Sequence, residues 1–305
     1  MLIPKRILTV SSANMDFVMS VSKIPQGGET QLENGNYQFV PGGKGINVSG
    51  VLCALGVKSI SVAPVGGKIG EFYKSLLEKT PLECVFIDTG CETRINVKAG
   101  CIDTVYELNA RGGELSDDAV NALFEKLSPI GKGDTVIISG STPACKRCLY
   151  GEITSYAVKK GAAVVADTTG EDLLQAVKNG AFLIKPNEDE LRELFEGDTV
   201  SSAEKLCDMG AEFVCVSSGA DGAYLIGKNA RYFCKAPKID AENTVGAGDS
   251  LLAGFIYAYN DGKPLADCLK SGVAAGSCRV STPAGKDFDK ALYTRLYEGL
   301  TVCKI

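Results

Sequence analysis

The sequence predicts an α/β protein: a central, mainly parallel β-sheet flanked by helices on both faces, carrying a small β-sheet lid. Three observations lead there. Short apolar runs alternate with amphipathic stretches over most of the 305 residues, the pattern of repeated βαβ units. Two segments break that alternation with strands that have no helix between them. No linker, repeat or low-complexity stretch divides the chain, so one domain spanning 1–305 is the economical reading, although about 150 residues per domain would allow two.

In chain order, the candidate buried strands are 7–10, 59–65, 135–139, 162–167, 182–185 and 213–217. Helical periodicity occupies 45–55, 71–79, 117–127, 149–159, 172–178, 188–195 and 203–209, and three helical patterns at 247–259, 265–278 and 290–300 close the chain. The exceptions are 16–40, short strands with turn residues that include the Gly27–Gly28 pair, and 94–109, a strand pair turned around 101–103. Together they are expected to form a small antiparallel lid over a cleft, with edge strands of the main sheet as the alternative.

Charge and composition exclude several functions. Lys and Arg total 32 against 37 for Asp and Glu, a net charge of −5, so neither nucleic acid nor an anionic membrane is an expected partner. The chain has no histidine, which removes His-dependent triads, His-ligated zinc and imidazole proton shuttles. Acid–base chemistry is left to carboxylates, Lys, Tyr or Cys. The 12 cysteines are scattered, mostly in apolar runs, and read as small buried hydrophobes in a reducing cytosol. Cys145 and Cys148 form a lone Cys-x-x-Cys without the further ligands a structural zinc needs. The N-terminus turns polar too soon for a secretion signal, and no apolar window reaches the ~18 residues of a membrane span. A cytoplasmic protein is expected.

The most informative segment runs from Asn243 through Thr244, Val245, Gly246, Ala247, Gly248 and Asp249 to Ser250, followed by an apolar helical run. Small residues at Gly246, Ala247 and Gly248 let backbone N–H groups converge at a helix N-terminus, which suits a phosphate. Asp249 in the first turn could then take a proton from an attacking hydroxyl. A plain cap and turn would use the same residues, and local physics leaves the two readings level. A second cluster, Pro41-Gly42-Gly43-Lys44-Gly45-Ile46-Asn47, also opens a helix. It lacks the Walker A spacing, and the chain has no Gly-x-Gly-x-x-Gly. Paired glycines with Lys44 and Asn47 suit a polyol lying against backbone, or an ordinary strand-to-helix turn.

These motifs, with 11–16, 25–30, 185–191 and 244–250, fall in the order and spacing of the ribokinase-like (phosphofructokinase B) carbohydrate kinases, which the sequence resembles from about residue 7 to 284. Residues 93–97, 139–143 and 167–170 make it look most like the 1-phosphofructokinase and tagatose-6-phosphate kinase branch. The resemblance implies a ribokinase-like fold, ATP and magnesium. Asp249 matches the family's base, and Gly246, Ala247 and Gly248 its anion hole. Asp16, Gly42, Gly43, Lys44 and Asn47 match sugar contacts. Asn187 and Glu190 match the motif associated, through water, with magnesium and the ATP phosphates, and their spacing is expected to place both on one helix face. Lys185, Ser217, Ser218, Gly219, Asp221 and Gly222 match the nucleotide side.

Two departures bear on the substrate. The phosphosugar branch often has a Lys in the segment that here reads Pro25-Gln26-Gly27-Gly28-Glu29-Thr30, which looks like ribokinase itself. Ribokinase-type sites place a Glu near the position of Ser141, where this chain has no carboxylate, while Arg94 supplies a fixed cation for a phosphate. The expected activity is phosphorylation of a ketohexose phosphate, fructose 1-phosphate first and tagatose 6-phosphate second. The alternatives are a kinase of an unphosphorylated sugar or nucleoside, and a non-catalytic binding protein. A homodimer through the lid would be compatible with such a sheet.

Overall fold

The computed structural model describes residues 5–21, 29, 31–32, 35–101, 104–142, 144–242, 244–283 and 286–305. Residues 25–28 and 30, the turn positions 102–103, Pro143 and Asn243 lie outside the described residues. The first part of the chain runs β1 (Ile7–Ser11), β2 (Asn14–Ser20), β3 (Tyr37–Gly42), α1 (Lys44–Leu55), β4 (Ile60–Val65), α2 (Gly67–Leu77), β5 (Glu83–Asp88), β6 (Arg94–Cys101) and β7 (Thr104–Asn109). Next come α3 (Asp117–Leu127), β8 (Thr135–Ser139), α4 (Leu149–Lys159), β9 (Ala163–Asp167), α5 (Gly170–Lys178), β10 (Leu183–Ile184), α6 (Glu188–Leu194), α7 (Thr199–Met209) and β11 (Phe213–Ser217). The chain ends with β12 (Gly222–Gly227), β13 (Ala230–Lys235), α8 (Ala247–Asn260), α9 (Leu265–Val280), α10 (Lys290–Gly299) and β14 (Val302–Lys304).

Ten of these strands form one sheet in the order β14-β13-β12-β11-β10-β9-β8-β1-β4-β5. From β5 to β11 every neighbour is parallel, and β11 to β14 continue antiparallel. Alternation along the strands divides the core in two. Val136, Ile138, Val164, Ala166 and Val214 face α3–α7, whereas Ile137, Val165, Leu183 and Cys215 face α1, α8, α9 and α10. Helices therefore cover both faces, as the apolar runs required.

The second sheet, β3-β2-β6-β7, is the expected lid. It is mixed rather than antiparallel, because β2 pairs β6 in parallel. The chain leaves β2 and returns only after α1, β4, α2 and β5, a connection long enough to re-enter from the same end. The antiparallel strands β12, β13 and β14 are additions to the expected strand set. β13 lacks the strong apolar run that marked the central strands, since it alternates buried Cys234 with exposed Arg231 and Lys235, whereas β12 carries such a run in Ala223–Ile226 that was not read as a strand. The cysteine reading holds for Cys207, Cys215, Cys234, Cys268 and Cys278, which are buried, but Cys148 and Cys303 are exposed.

The crossing of α8 and α9 brings the candidate nest against the core, and Gly254 makes that crossing close. A Cβ there would stand 2.5 Å from the Ser271 carbonyl oxygen and 2.6 Å from the Ala275 Cβ. Gly254→Ala should therefore destabilise the fold by about 1–3 kcal/mol through overpacking, beyond the roughly 1 kcal/mol that helix propensity returns. Urea unfolding should show the loss as a lower midpoint at unchanged slope.

Candidate active site

The parallel strands end together, and their carboxyl ends carry the polar residues, as open α/β sheets favour. Register places Ser11 of β1 opposite Ser139 of β8, and Ser139 opposite Asp167 of β9. Lys185 follows β10 directly, and Ser217 ends β11. Three sequence-distant loops then meet above this row: the start of α1, the start of α8 and the loop after β8.

Gly246 caps α8 in the left-handed region, at φ 78, where a side chain would be strained. No side chain caps this helix, and the Ala247 N–H turns back to the Thr244 carbonyl. The N–H groups of Gly248 and Asp249 fall outside the helical ladder, which opens a donor nest at a positive dipole end. Asp249 is buried in the first turn and accepts a hydrogen bond from Asn47 Nδ2 at 2.7 Å. Burial pushes its carboxyl up to about 6, helped by the Asp167 charge and opposed by the Asn47 bond and the Lys44 and Lys185 ammoniums.

Below the nest lies an ionic cluster. Lys44 Nζ and Lys185 Nζ approach the same Asp167 oxygen, at 3.1 Å and 3.3 Å. Lys185 is 4% exposed, and its Nζ lies 3.3 Å from where a Cβ on Gly248 would be, so only glycine leaves that ammonium beside the nest. Burial alone would lower the Lys185 pKa, but the Asp167, Asp249 and Glu190 carboxylates outweigh it and hold the ammonium above its ordinary value. The Asp167 Oδ2 is buried with no hydrogen-bond partner among the described residues.

The lid supplies the other wall. Asp16 accepts from Asn14 Nδ2 at 2.6 Å and pairs with Lys98 Nζ at 2.9 Å, so both of its oxygens are held. A Cβ on Gly42 would sit 2.7 Å from Asp16 Oδ2, and the Gly42 carbonyl accepts from the buried Tyr73 hydroxyl at 2.9 Å. Gly43, at φ 124, passes so near the Ser12 carbonyl that a Cβ would come within 2.8 Å of its oxygen. Arg94 Nη2 donates to Ser12 Oγ and Ser141 Oγ, both at 3.2 Å, while its Nε is buried without a partner among the described residues. Burial lowers the Arg94 pKa and Asp16 partly restores it, leaving a cation at neutral pH. A cavity of about 220 Å³ opens here, lined by Ser12, Arg94, Arg111, Gly112, Ser141 and Thr142 among others.

On the opposite side, Asn187 and Glu190 form a capping box on α6: the Glu190 N–H donates to Asn187 Oδ1 at 2.8 Å, and the Asn187 N–H to Glu190 Oε2 at 2.9 Å. Asn187 is thus the extended N-cap, not a residue on the helix face as its spacing suggested. The box leaves one carboxylate oxygen of Glu190 and the Asn187 amide nitrogen outside its two bonds. The Ser217–Gly222 loop joins it through the Asn187–Ser217 bridge and a 3.0 Å bond from Ser218 Oγ to Glu188. Gly219 and Gly222 take positive φ values of 52 and 122, and Asp221 contributes its backbone to the loop through Ser218 and Ala236.

The expected site residues fall in the lid strands, at the starts of α1 and α8, and in the segments that follow the parallel strands β10 and β11. Asp167, Lys98, Asn96 and Arg111 were missed as site residues. Asp167 carried a usable signal, a charge ending an otherwise apolar buried strand. Lys98 and Asn96 share the inward face with Asp16 only by strand pairing, and Arg111 had no signal beyond its charge. Chemically, the arrangement offers a buried carboxylate with a raised pKa, a donor nest backed by ammoniums for one anion, and a guanidinium-lined cavity for another.

Comparison with known proteins shows the family. The sequence matches the pfkB family carbohydrate kinases over residues 4–290. The 1-phosphofructokinase of Bacillus subtilis is 38% identical over 281 residues, covering 89% of this chain and 91% of that protein. The crystal structure of phosphofructokinase-2 from Escherichia coli in complex with substrates and products has a TM-score of 0.89 at 27% identity, over 96% of this chain and 98% of the other. Ribokinase from Thermotoga maritima shares the fold, with a TM-score of 0.77 at 20% identity over 97% and 100% of the two chains. The chain belongs to the pfkB family of carbohydrate kinases.

Proposed function

We propose that this protein transfers the γ-phosphoryl group of ATP to a free hydroxyl of a ketohexose phosphate, fructose 1-phosphate in preference to tagatose 6-phosphate, giving a bisphosphate. The observation that carries the reading is the cavity holding both Arg94 and Arg111, where the lining carboxylate of Glu92 is taken up by the Lys68 and Ile69 N–H groups and no carboxylate stands at Ser141. The likeness to a protein named 1-phosphofructokinase supports it. The alternative of an unphosphorylated sugar drew on 25–30, of which only Glu29 is among the described residues.

In the mechanism, the substrate phosphate sits on Arg94 and Arg111, and sugar hydroxyls reach Asp16, Asn47 and the Asn96 Oδ1, which has no partner among the described residues. The start of α1 links that cavity to the reacting end, since Gly43 lies against Ser12 and Asn47 bonds Asp249. Asp249 takes the proton of the acceptor hydroxyl as it attacks phosphorus. The Gly246–Gly248 nest, Lys44 and Lys185 hold the charge that builds on the transferred group. ATP lies along Ser217–Gly222. Among the described residues no cluster of three His, Cys, Asp or Glu side chains could cage a metal. Magnesium usually keeps several waters and adds substrate phosphates to one or two carboxylates, which fits Asn187 and Glu190 acting through water. When bound, it would neutralise phosphate charge.

Asp249→Asn should lower kcat by about 10²–10⁴-fold, because the amide cannot accept the proton. Asp249 works ionised, so activity in the wild type should fall as pH drops through about 6. The substrate phosphate titrates in the same range, but only the Asp249 limb should move to higher pH in Lys44→Met, which removes a stabilising cation. A limb unmoved by Lys44→Met would assign it to the substrate.

Arg94→Ala should raise the KM for the sugar phosphate about 10–100-fold and leave that for ATP nearly unchanged. Lys should rescue only part of the loss, lacking the planar fork. Better turnover of free fructose or ribose than of either sugar phosphate would overturn the reading.

The lid's outer face carries exposed Tyr37, Phe39, Tyr106 and Leu108, the last at 70% exposure. A second copy of this chain is the partner proposed for it. Sedimentation should show a dimer that Leu108→Asp shifts toward monomer.

A further inference from the structure

The Cys145–Cys148 pair plays no part in the kinase reading, yet it lies on the loop that runs from the cavity wall at Ser141 and Thr142 into α4. We propose that this pair is a site of reversible oxidation, closing to a disulfide that weakens the sugar-phosphate subsite.

Two independent observations place the sulfurs. Cys148 is exposed and occupies the N-cap of α4 without making a side-chain cap bond. Its sulfur lies 3.0 Å from where a Cβ on Gly151 would be, so it hangs over the first helical turn, and glycine leaves it room. Cys145, half-buried, donates its S–H to the Arg147 carbonyl oxygen at 3.0 Å. That carbonyl is bonded directly to the Cys148 nitrogen, so the Cys145 sulfur already curls toward Cys148. The Leu149 N–H donates to the same carbonyl at 2.9 Å and folds the backbone tightly there. A two-residue spacer is the one used by redox-active dithiols, and such pairs in reducing compartments cycle rather than persist.

The chemistry balances with a low-molecular-weight disulfide as oxidant. The Cys148 thiolate attacks one sulfur of oxidised glutathione, breaking its S–S bond and releasing one glutathione thiolate. Cys145 then loses its proton and attacks the Cys148 sulfur of the mixed disulfide. The Cys145–Cys148 bond forms, a second glutathione leaves, and two protein thiols have been oxidised while one external disulfide has been reduced.

Closure acts on the cavity side of the loop. The far side is anchored: Arg147 Nε donates to Glu152 at 2.9 Å, and its guanidinium stacks 5.4 Å over the Phe124 ring. Cys145 must leave both the Arg147 carbonyl and the edge of the core it packs against. The displacement falls on the adjacent Ala144, which lines the cavity and accepts the Leu115 N–H at 2.7 Å. The kinetic consequence rests on the sugar-phosphate reading, whereas formation of the bond does not.

The test treats the full chain with oxidised glutathione, maps thiols by alkylation and peptide mass spectrometry, and measures kinetics before and after dithiothreitol. The expected result is a 145–148 disulfide, a roughly tenfold rise in KM for fructose 1-phosphate with the KM for ATP little changed, and full reversal by dithiothreitol. Cys145→Ser and Cys148→Ser should each keep the reduced KM and lose the response. Two free thiols, a mixed disulfide that stops at Cys148, or a closed pair with unchanged KM would each overturn the proposal. If the reduced enzyme does not use fructose 1-phosphate, the substrate reading fails instead, and the same comparison is made with the sugar it does use.

Discussion

Two ammonium groups converging on one oxygen of Asp167, beside a second buried carboxylate at Asp249, set the terms for the rest of the site. Taking such charges out of water costs several kcal/mol per ion, and their mutual attraction repays that only in good geometry. The Asp167 Oδ2 has no partner among the described residues, so the cluster is not arranged for stability alone. With both carboxylates ionised, the four groups cancel. In the proposed reaction, protonation of Asp249 leaves the set with one positive charge beneath the Gly246–Gly248 nest. That arrangement requires all four groups to sit at the ends of different elements.

The lid obeys a second constraint, the two-residue period of a strand. On the face toward the site, register aligns Asp16 with Asn96, and Lys98 reaches back to pair with Asp16. On the other, Phe17 aligns with Phe39 and Val97, and Val97 with Leu108. A one-residue slip of β6 would exchange the two rows and turn Asn96 and Lys98 away from Asp16. The parallel β2–β6 pairing thus determines where the lid's polar side lies. At the lid's base, Thr93 Oγ1 bonds both the N–H and the carbonyl of Gly66, at 3.0 Å and 3.2 Å, which ties β6 to the turn before α2. Arg94 is the next residue, so its placement over Ser12 and Ser141 follows from that tie.

The two ends of the site are built differently. At the nest, the free donors are backbone N–H groups, and Gly246 takes a left-handed conformation that a side chain would strain. In the cavity, the donors are side chains, guanidinium forks of a shape that fits phosphate oxygens in a plane. Backbone donors suit a phosphoryl group common to every substrate of such a fold. Side chains can differ from one chain to another and so carry the choice of sugar.

Local chemistry in the sequence was enough for the helices on both faces and for the parallel core except β5 at its edge, which was not among the expected strands. Buried parallel strands show as continuous apolar runs, and a glycine-rich helix start is written in consecutive residues, so 135–139 and 213–217 appear in the structure with the bounds expected of them. Asp249 and Asn47 stood as candidates beside an ordinary cap or turn, and Arg94 and Lys185 entered through the family resemblance, once the motifs stood in order. Tertiary structure alone decided the parallel pairing of β2 with β6, the strands β12–β14, the capping-box state of Asn187 and Glu190, and the pairings of Lys98 with Asp16 and of Lys44 and Lys185 with Asp167. Each depends on groups far apart in the chain: Lys44 meets Asp167 across 123 positions, and Asn47 meets Asp249 across 202. No window of local sequence holds both partners of such a contact, and only the folded sheet, by ending its parallel strands together, brings them within hydrogen-bond reach.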